Sequence, residues 1–311
     1  MDVTVGYDPV TVYHYCGEAT IVKIQEDWCS ICGLEGPFPA FFSGASLRES
    51  RCRGCGSSRR NRDVARVLLS LCLPKAGDGP DEALQQPSLS SCLDVLSSLR
   101  IYELQAKGAL HAVLGALPGY VCSEYLRDVP PGERDATGLL CQDVTRLTFD
   151  DTAFDLVISQ DIMEHVADPW RGFGEIARVL RPGGVHVFTV PLHEGRLTRQ
   201  RAAVDVTGDV TGDATGLVEH LLPPVYHKDP LDPAGALVFW DYGDDLPDFL
   251  ARKGIAARLA LHARFYEPDE ICAIDDEQAW KRCNEACEQG KHVNFFLYNS
   301  AVFVAEGKNS G

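Results

Sequence analysis

Cys29-x2-Cys32 and Cys52-x2-Cys55 constrain this 311-residue chain more than any other feature. Nineteen residues separate the pairs, in a stretch rich in Arg, Gly and Ser with no long apolar run. A Cys-x2-Cys turn can aim two thiolates at one ion, and two such turns complete a tetrahedral S4 shell suited to structural zinc. All four positions of that shell are sulfur, which leaves none for water, so the ion is expected as a staple and not a catalyst. Ordinary reduced thiols or two disulfides are the alternative. Chemistry is therefore expected downstream.

A chain of this length can bury a full core, and one main domain plus a small module is the natural division. No stretch reaches the apolar length of a membrane span, and the start MDVTVGYDPVTVYHYCGE has neither a basic head nor an apolar signal core. A cytoplasmic protein without membrane partners is expected. Of the twelve cysteines, eight lie outside the two pairs, mostly singly, which fits a reducing compartment. With 29 basic and 45 acidic side chains, the formal charge of -16 repels phosphate backbones and disfavours a nucleic-acid partner. Arg48, Arg51, Arg53, Arg59, Arg60 and Arg62 are a local exception, and the simpler reading is arginines solvated around a small metal site.

Residues 1–59 form the expected metal module, with Trp28, Phe38, Phe41 and Phe42 as its small apolar core. Residues 60–98 read as a helical segment and linker. Val64, Val67, Leu68 and Leu71 lie at helical spacing, Pro74–Pro87 is an exposed loop, and Leu89–Leu99 resumes helical spacing. From residue 99 to 311 the texture alternates. Strands are expected at Arg100–Glu103, Tyr120–Glu124, Leu139–Gln142, Phe154–Ser159 and Val185–Val190, with helices at Ala109–Leu117 and Trp170–Leu180. Strand, helix, strand at these intervals predicts an α/β fold, an open parallel sheet with helices on both faces. Arg181-Pro182-Gly183-Gly184 ends the second helix.

Residues 194–235 break that rhythm with VTGDVTGDATG and then HLLPPVYHKDP, and read as an irregular substrate lid. Asp241–Lys253 is expected as a helix. Ala256–His262 and Asn299–Val304 are expected as closing strands that pair antiparallel at the sheet edge. Cys283-x3-Cys287, beside Trp280 on one helical face, reads as buried thiols.

The block LCQDVTRLTFDDTAFDLVISQDIMEHVADPWRGFGEIARVLRPGGVHVFTVP, residues 140–191, resembles the second half of a class I S-adenosylmethionine-dependent methyltransferase of the small-molecule type. The resemblance covers about residues 98–191 and weakens towards the C-terminus; RVLRPGG after an amphipathic helix is its most specific element. It implies a Rossmann-like sheet with S-adenosylmethionine as cofactor. It further implies that Asp143 holds the adenine amino group and that Asp161–His165 lines the pocket. Where the family has a glycine-rich turn after its first strand, this chain has IYELQAKGA, an atypical loop that keeps only Gly108. Glu103 falls on the family's acidic strand-end position, and Glu124, in SEY, falls where a carboxylate receives the ribose hydroxyls. A nicotinamide-binding fold would want Gly-x-Gly-x-x-Gly after a first strand, and the chain has none.

Methyl transfer from a sulfonium chiefly requires alignment of the acceptor atom, with removal of a proton from some acceptors. Histidine suits that removal. His227 is the expected general base, with His220 and Tyr226 orienting the acceptor and Asp229 fixing the His227 tautomer. HLLPPxYHxDP resembles a signature of a methyltransferase subfamily with an equally unusual first half. His193, just past the fifth strand, is a candidate base or substrate contact. For His165 the reading favoured over catalysis is a supporting or helix-start residue. These histidines with Asp229 could instead hold a second metal ion, although their spacing is not diagnostic.

The leading expectation is methylation of a small molecule, with oxygen the first choice of acceptor. The arginine excess over lysine and the Ala/Gly/Asp-rich loops suggest a GC-rich bacterial source and a biosynthetic tailoring role. A non-catalytic scaffold, or an RNA or protein methyltransferase that grips its substrate with the zinc module, are the alternatives.

Overall fold

The structure, a computed structural model, describes residues 12–13, 23–24, 28–35, 51–72, 87–193, 197–204, 218–229, 232–243, 245–261, 264–266 and 302–307. The chain divides into two compact units: residues 1–99, 107–120 and 258–304 in one, and 100–106, 121–257 and 305–311 in the other.

In the first unit the helix Arg59–Cys72 runs longer than its apolar spacing predicts, and Val64, Val67 and Leu68 are buried as expected. The helical reading of Leu89–Leu99 resolves into a 3-10 turn, Leu89–Ser91, and a short helix, Leu93–Leu96. The break serves long-range bonds: Leu89 N–H donates to Ser30 O at 2.9 Å and Ser90 N–H to Ile31 O at 3.0 Å. Trp28 is buried, its Nε1–H donating to Pro87 O at 3.0 Å.

The arginines there are not the solvated shell that the sequence suggests. Arg59 and Arg62 are buried, as is Arg66, whose guanidinium lies 5.1 Å from the Trp28 ring centroid. Asp63 receives Arg59 at 3.2 Å and Arg66 at 3.1 Å, while Arg62 Nη1 donates to Ser57 O at 2.7 Å. A buried charge must be paired and hydrogen-bonded, and here one aspartate and a backbone carbonyl do so. Those arginines are structural and offer nothing to a phosphate backbone; Arg51 and Arg53 remain exposed. Phe38, Phe41, Phe42, Arg48 and most of Pro74–Pro87 lie outside the described residues, as do Trp280, Cys283 and Cys287. Ala257–Leu261 pairs antiparallel with Arg264–Tyr266 (Leu259 opposite Tyr266) and has Val302–Glu306 as its other neighbour.

The second unit is built on parallel strands. Phe154–Gln160 lies between Ile101–Glu103 and Leu180–Thr189, with Glu103 opposite Ile158 and Gln160 opposite Thr189. Tyr120–Cys122 follows outside Ile101–Glu103. Leu139–Gln142 forms no full strand and reaches its neighbour through a parallel bridge of Cys141 with Glu124. The crossover helix Pro169–Val179 starts at Asp168, whose side chain accepts Arg171 N–H at 3.2 Å, and buries Phe173, Ile176 and Val179. Pro at the first helical position suits that start, since its missing N–H would have no partner there. Parallel strands joined through a crossover helix make this a Rossmann-like α/β arrangement.

Two further expectations change in this unit. The helix expected over Asp241–Lys253 shortens to Leu246–Ala251, and Trp240–Gly243 is a strand between Leu192–His193 and Arg199–Gln200. Buried Asp241 meets Arg201 at 2.6 Å and Arg199 at 2.9 Å, while Tyr242 is buried through a bond to Met163, so consecutive residues serve different neighbours. The segment read as an irregular lid also carries strand pairs, Ala202–Val204 with Val218–His220 and Tyr226–His227 with Ala236–Leu237. Residues 205–217, most of the VTGD near-repeat, lie outside the described residues. No described helix is long and apolar enough to cross a membrane.

His186 sits within the sheet core, stacked on Phe188 at 4.7 Å, with Nε2 2.9 Å from Ser159 Oγ. Complete burial lowers its pKa to about 3, so it folds neutral. The unfolded chain takes up that proton near pH 6.5. Stability from this site is thus full above pH 6.5 and lost as pH falls towards 3, by about 1.4 kcal/mol per pH unit. Urea unfolding at pH 7.5, 5.5 and 4.5 should show a shallower acid loss for His186→Gln than for the parent. Parallel curves would refute the assignment.

Candidate functional site

The four cysteines converge. Cys29 Sγ and Cys55 Sγ are 3.7 Å apart, Cys32 Sγ and Cys52 Sγ 3.8 Å, and all four sulfurs lie within 4.8 Å of one another. Zinc–sulfur bonds of 2.3 Å at tetrahedral angles place sulfurs about 3.8 Å apart, so the donor set fits zinc. Two equivalent turns create it. Cys29 N–H bonds to Leu34 O and Gly33 N–H to Cys29 O; Cys52 N–H bonds to Ser57 O and Gly56 N–H to Cys52 O. The glycine after each pair has positive φ, +77° at Gly33 and +71° at Gly56. Thus each turn reads Cys-x2-Cys-Gly, a refinement of the pairing that the sequence also carries. Burial pushes the Cys29 thiol up and that of Cys32 up to about 12. Cys52 shifts the other way, because burial raises its thiol but backbone hydrogen bonds at Cys55 and Gly54 and the neighbouring thiols lower it further.

At the carboxyl edge of the parallel strands, Glu103 is buried at the end of the first, where Gln160 Nε2 reaches Glu103 Oε1 at 3.5 Å and Gln105 Oε1 at 3.1 Å. Glu124 Oε1 accepts Ala106 N–H at 2.9 Å. That bond braces the loop which replaces the glycine-rich turn. Among its residues only Gly108 has positive φ, +102°, so Gln105, Ala106 and Lys107 follow the turn with ordinary backbone angles. Asp143 Oδ1 accepts both the N–H and the hydroxyl of Thr145 at 2.8 Å, which fixes its carboxylate. Asp161 adopts φ +51° just after the strand Phe154–Gln160, held by Thr189 through Thr189 Oγ1–H to Oδ1 at 2.8 Å and its own N–H to Thr189 O at 2.9 Å.

Beyond Asp161 the chain makes a 3-10 turn, Met163–His165, clamped by residues 237–242. His165 Nδ1 lies 2.8 Å from Leu237 O, Phe239 N–H donates to Glu164 O at 2.8 Å, and the Tyr242 hydroxyl donates to Met163 O at 3.0 Å. A carbonyl only accepts, so His165 carries its proton on Nδ1 and presents a bare Nε2. Burial lowers the His165 pKa, which keeps the ring neutral. His227 meets that lone pair, with Nδ1 3.2 Å from His165 Nε2. Glu164 Oε1 stands 3.7 Å from each of those two nitrogens, on a side chain that is 1% exposed.

Gly235 makes the approach of His227 possible. A Cβ there would lie 2.5 Å from His227 O, and its φ is +80°. Arg201 anchors the same strap, holding Asp241 and donating to Pro223 O, both at 2.6 Å.

Of the predicted histidines, therefore, His165 and His227 come together. Tyr226 faces the other way on its short strand and is 55% exposed. His220 is exposed at the end of Val218–His220. The backbone of His193 closes the strand Leu192–His193, and its side chain lies outside the described residues. Asp229 acts on His165 through its charge, as does Asp161. Sequence reasoning placed Glu164 within the pocket-lining segment Asp161–His165 without giving it a role, and did not select Gln160 or Gly235. The only local signal for Glu164 is its place beside His165, because its partner His227 is 63 residues further on.

Residues 121–188 match the model of a family described as a methyltransferase domain. Two curated relatives, both described as uncharacterized methyltransferases, come from Mycobacterium sp. (strain JLS) and Mycolicibacterium vanbaalenii. Each is 47% identical over 45 residues, 14% of this chain and 18% of the relative, so the match spans under a fifth of their length. Among solved structures, a 1,6-didemethyltoxoflavin-N1-methyltransferase from Burkholderia thailandensis aligns at 12% identity and TM-score 0.34 over 74% of this chain and 80% of its own. An S-adenosylmethionine-dependent methyltransferase from Mesorhizobium loti aligns at 18% identity and TM-score 0.30, over 73% and 98% respectively.

Proposed function

We propose that this chain is an S-adenosylmethionine-dependent methyltransferase that methylates a hydroxyl oxygen of a small molecule, in a bacterial biosynthetic pathway. The observation that carries the reading is the methyltransferase-domain match over residues 121–188, with Glu103 and Glu124 at the carboxyl edge of its sheet. Open α/β sheets bind ligands at that edge. Glu124 would receive the ribose hydroxyls, Asp143 the adenine amino group, and Glu103 with the Gly108 turn the methionine portion. When bound, S-adenosylmethionine supplies an electrophilic methyl group. The chain's own contribution is to hold the acceptor oxygen in line and take charge of its proton. Glu164, His165 and His227 suit that task, because a buried carboxylate beside two imidazoles favours positive charge. His193 would border the acceptor, while His220 and Tyr226, exposed on their short strands, would meet it only from the solvent side. The four cysteines would hold a structural zinc ion, which shapes the first unit and takes no part in the reaction.

Calorimetric titration with S-adenosylmethionine tests the reading. Glu124→Ala should weaken binding at least tenfold, since hydrogen bonds to a charged group contribute about 1.5–3 kcal/mol each. Glu124→Gln retains an acceptor for Ala106 N–H and separates loop bracing from ribose binding; it should recover part of the loss. Absence of heat with the parent chain, together with no competition by S-adenosylhomocysteine, would sink the enzyme reading. An unchanged dissociation constant for Glu124→Ala would instead remove Glu124 from the cofactor site.

A further inference from the structure

We infer that Glu164, His165 and His227 form a binding site for a divalent transition-metal ion, with zinc the best fit, and that this ion holds the oxygen of the methyl acceptor. The three donor atoms form a nearly regular triangle, with edges of 3.2, 3.7 and 3.7 Å. A circle through them has a radius of about 2.1 Å, which matches the zinc–nitrogen bond and falls within the zinc–carboxylate range. A tetrahedral ion sits out of that plane, towards the open position, and would bond to all three once the two longer edges close by a few tenths of an ångström.

The chemistry of the donors agrees with the distances. His165 Nδ1–H is committed to Leu237 O at 2.8 Å, so its Nε2 lone pair points at His227 and Glu164. A ligating histidine whose other nitrogen donates to a backbone carbonyl is the usual supporting arrangement of a metal site. Glu164 is fixed through its own backbone carbonyl by Phe239 N–H at 2.8 Å, and Gly235 allows the close approach at His227. The charges of Asp161 and Asp229 reach His165 as well, which adds to the attraction for a cation. Two imidazoles and one carboxylate suit a borderline ion such as zinc or cobalt, and three protein ligands leave a fourth position open. The donor set differs from the four cysteines in this respect, since their shell has no vacancy.

The side chain of His227 is 38% exposed and that of His165 20%, so an acceptor hydroxyl can reach the open position. Coordination of a hydroxyl to such an ion lowers its pKa, as it does for bound water. The proton leaves to solvent, and the oxygen's electron pair forms the new bond to the methyl carbon. The bond from that carbon to the sulfonium sulfur breaks with its pair going to sulfur, which departs as the neutral thioether S-adenosylhomocysteine. This role for the ion rests on the methyl-transfer reading, whereas the binding of metal does not.

Cobalt(II) is the probe. The full chain, with its four-cysteine site loaded with zinc and weakly held metal removed by dialysis, is titrated with CoCl2 and followed by visible absorption and calorimetry. One equivalent should bind with ligand-field bands and without thiolate-to-cobalt charge transfer. His227→Ala, the least buried of the three ligands, should weaken that equivalent at least tenfold, and Glu164→Gln should do the same. Melting without added metal checks that each variant folds; should both fail, His227→Gln, which keeps side-chain bulk at the rim, replaces them. Identical titrations for the parent and a folded variant overturn the site, and so does cobalt bound only with thiolate charge transfer. Titration of the same samples with S-adenosylmethionine separates the two ideas. Cofactor binding without the extra cobalt equivalent sinks the metal alone, and the reverse sinks methyl transfer alone.

Discussion

Cys52→Ser should strip one equivalent of zinc from the chain and unfold the turns at residues 28–35 and 51–58. The expectation follows from the convergence of the four sulfurs between those turns. Cys29 and Cys52 are buried, with Cys29 Sγ 3.5 Å from Ser57 Oγ. Metal affinity in such a module is folding energy, about 10–16 kcal/mol for structural zinc in small peptides. Removing one of four sulfurs sacrifices a large share of it and leaves three thiols crowded in a buried space. The turns also anchor their neighbours, through Ser30 Oγ–H to Arg62 O at 2.6 Å and Arg62 to Ser57 O at 2.7 Å. Hydrogen exchange should therefore quicken at Cys29, Gly33, Cys52 and Gly56 and along the helix Arg59–Cys72. Metal analysis gives the first readout and exchange the second. A parent chain that is fully folded with no zinc retained by these cysteines, or a variant with unchanged protection, would refute the role.

The two candidate sites differ in how far the sequence discloses them. Paired cysteines announce themselves because four ligands come from two local turns, each a five-residue pattern closed by a glycine. The sheet edge is legible for a related reason. Strand ends and the crossover helix are short-range features with their own periodicities, and the family resemblance laid over them is what points to Glu103, Asp143 and Asp161. Glu164 is different. A carboxylate next to a histidine is common on exposed turns, and nothing local shows that Tyr242 and Phe239 will clamp this turn and bury the carboxylate.

The arginines around the cysteine pairs misled for the same reason. Asp63 stands at helical spacing from Arg59 and Arg66, which the sequence carries, but that these side chains are buried is decided by tertiary packing. Asp241–Tyr242 carries a helical texture on its own, yet pairing with Leu192–His193 and Arg199–Gln200 draws it into a strand. Local propensity gives way where cross-strand partners and a buried ion pair are available.

His227→Ala is expected to lower turnover by about 10²–10⁴-fold, the range for losing a group that handles a proton in the transition state. S-adenosylmethionine affinity should stay nearly intact, because Glu103, Glu124 and Asp143 lie on other segments. The argument concerns charge. In the parent chain Glu164 and the two imidazole nitrogens close on one point, so positive charge gathered there is stabilised by a carboxylate that is 1% exposed. Without His227 the pair Glu164–His165 remains, but the member nearest solvent, and so nearest an incoming acceptor, is gone. Release of S-adenosylhomocysteine, measured with a panel of small hydroxylated acceptors and alongside cofactor titration, gives both quantities. A fall in turnover at saturating acceptor places His227 in the chemistry. A change confined to the Michaelis constant assigns it to acceptor binding. Near-normal turnover would rule out both the proton-handling role and a need for His227 in activating the acceptor oxygen, and would favour an acceptor such as a carboxylate that arrives already deprotonated.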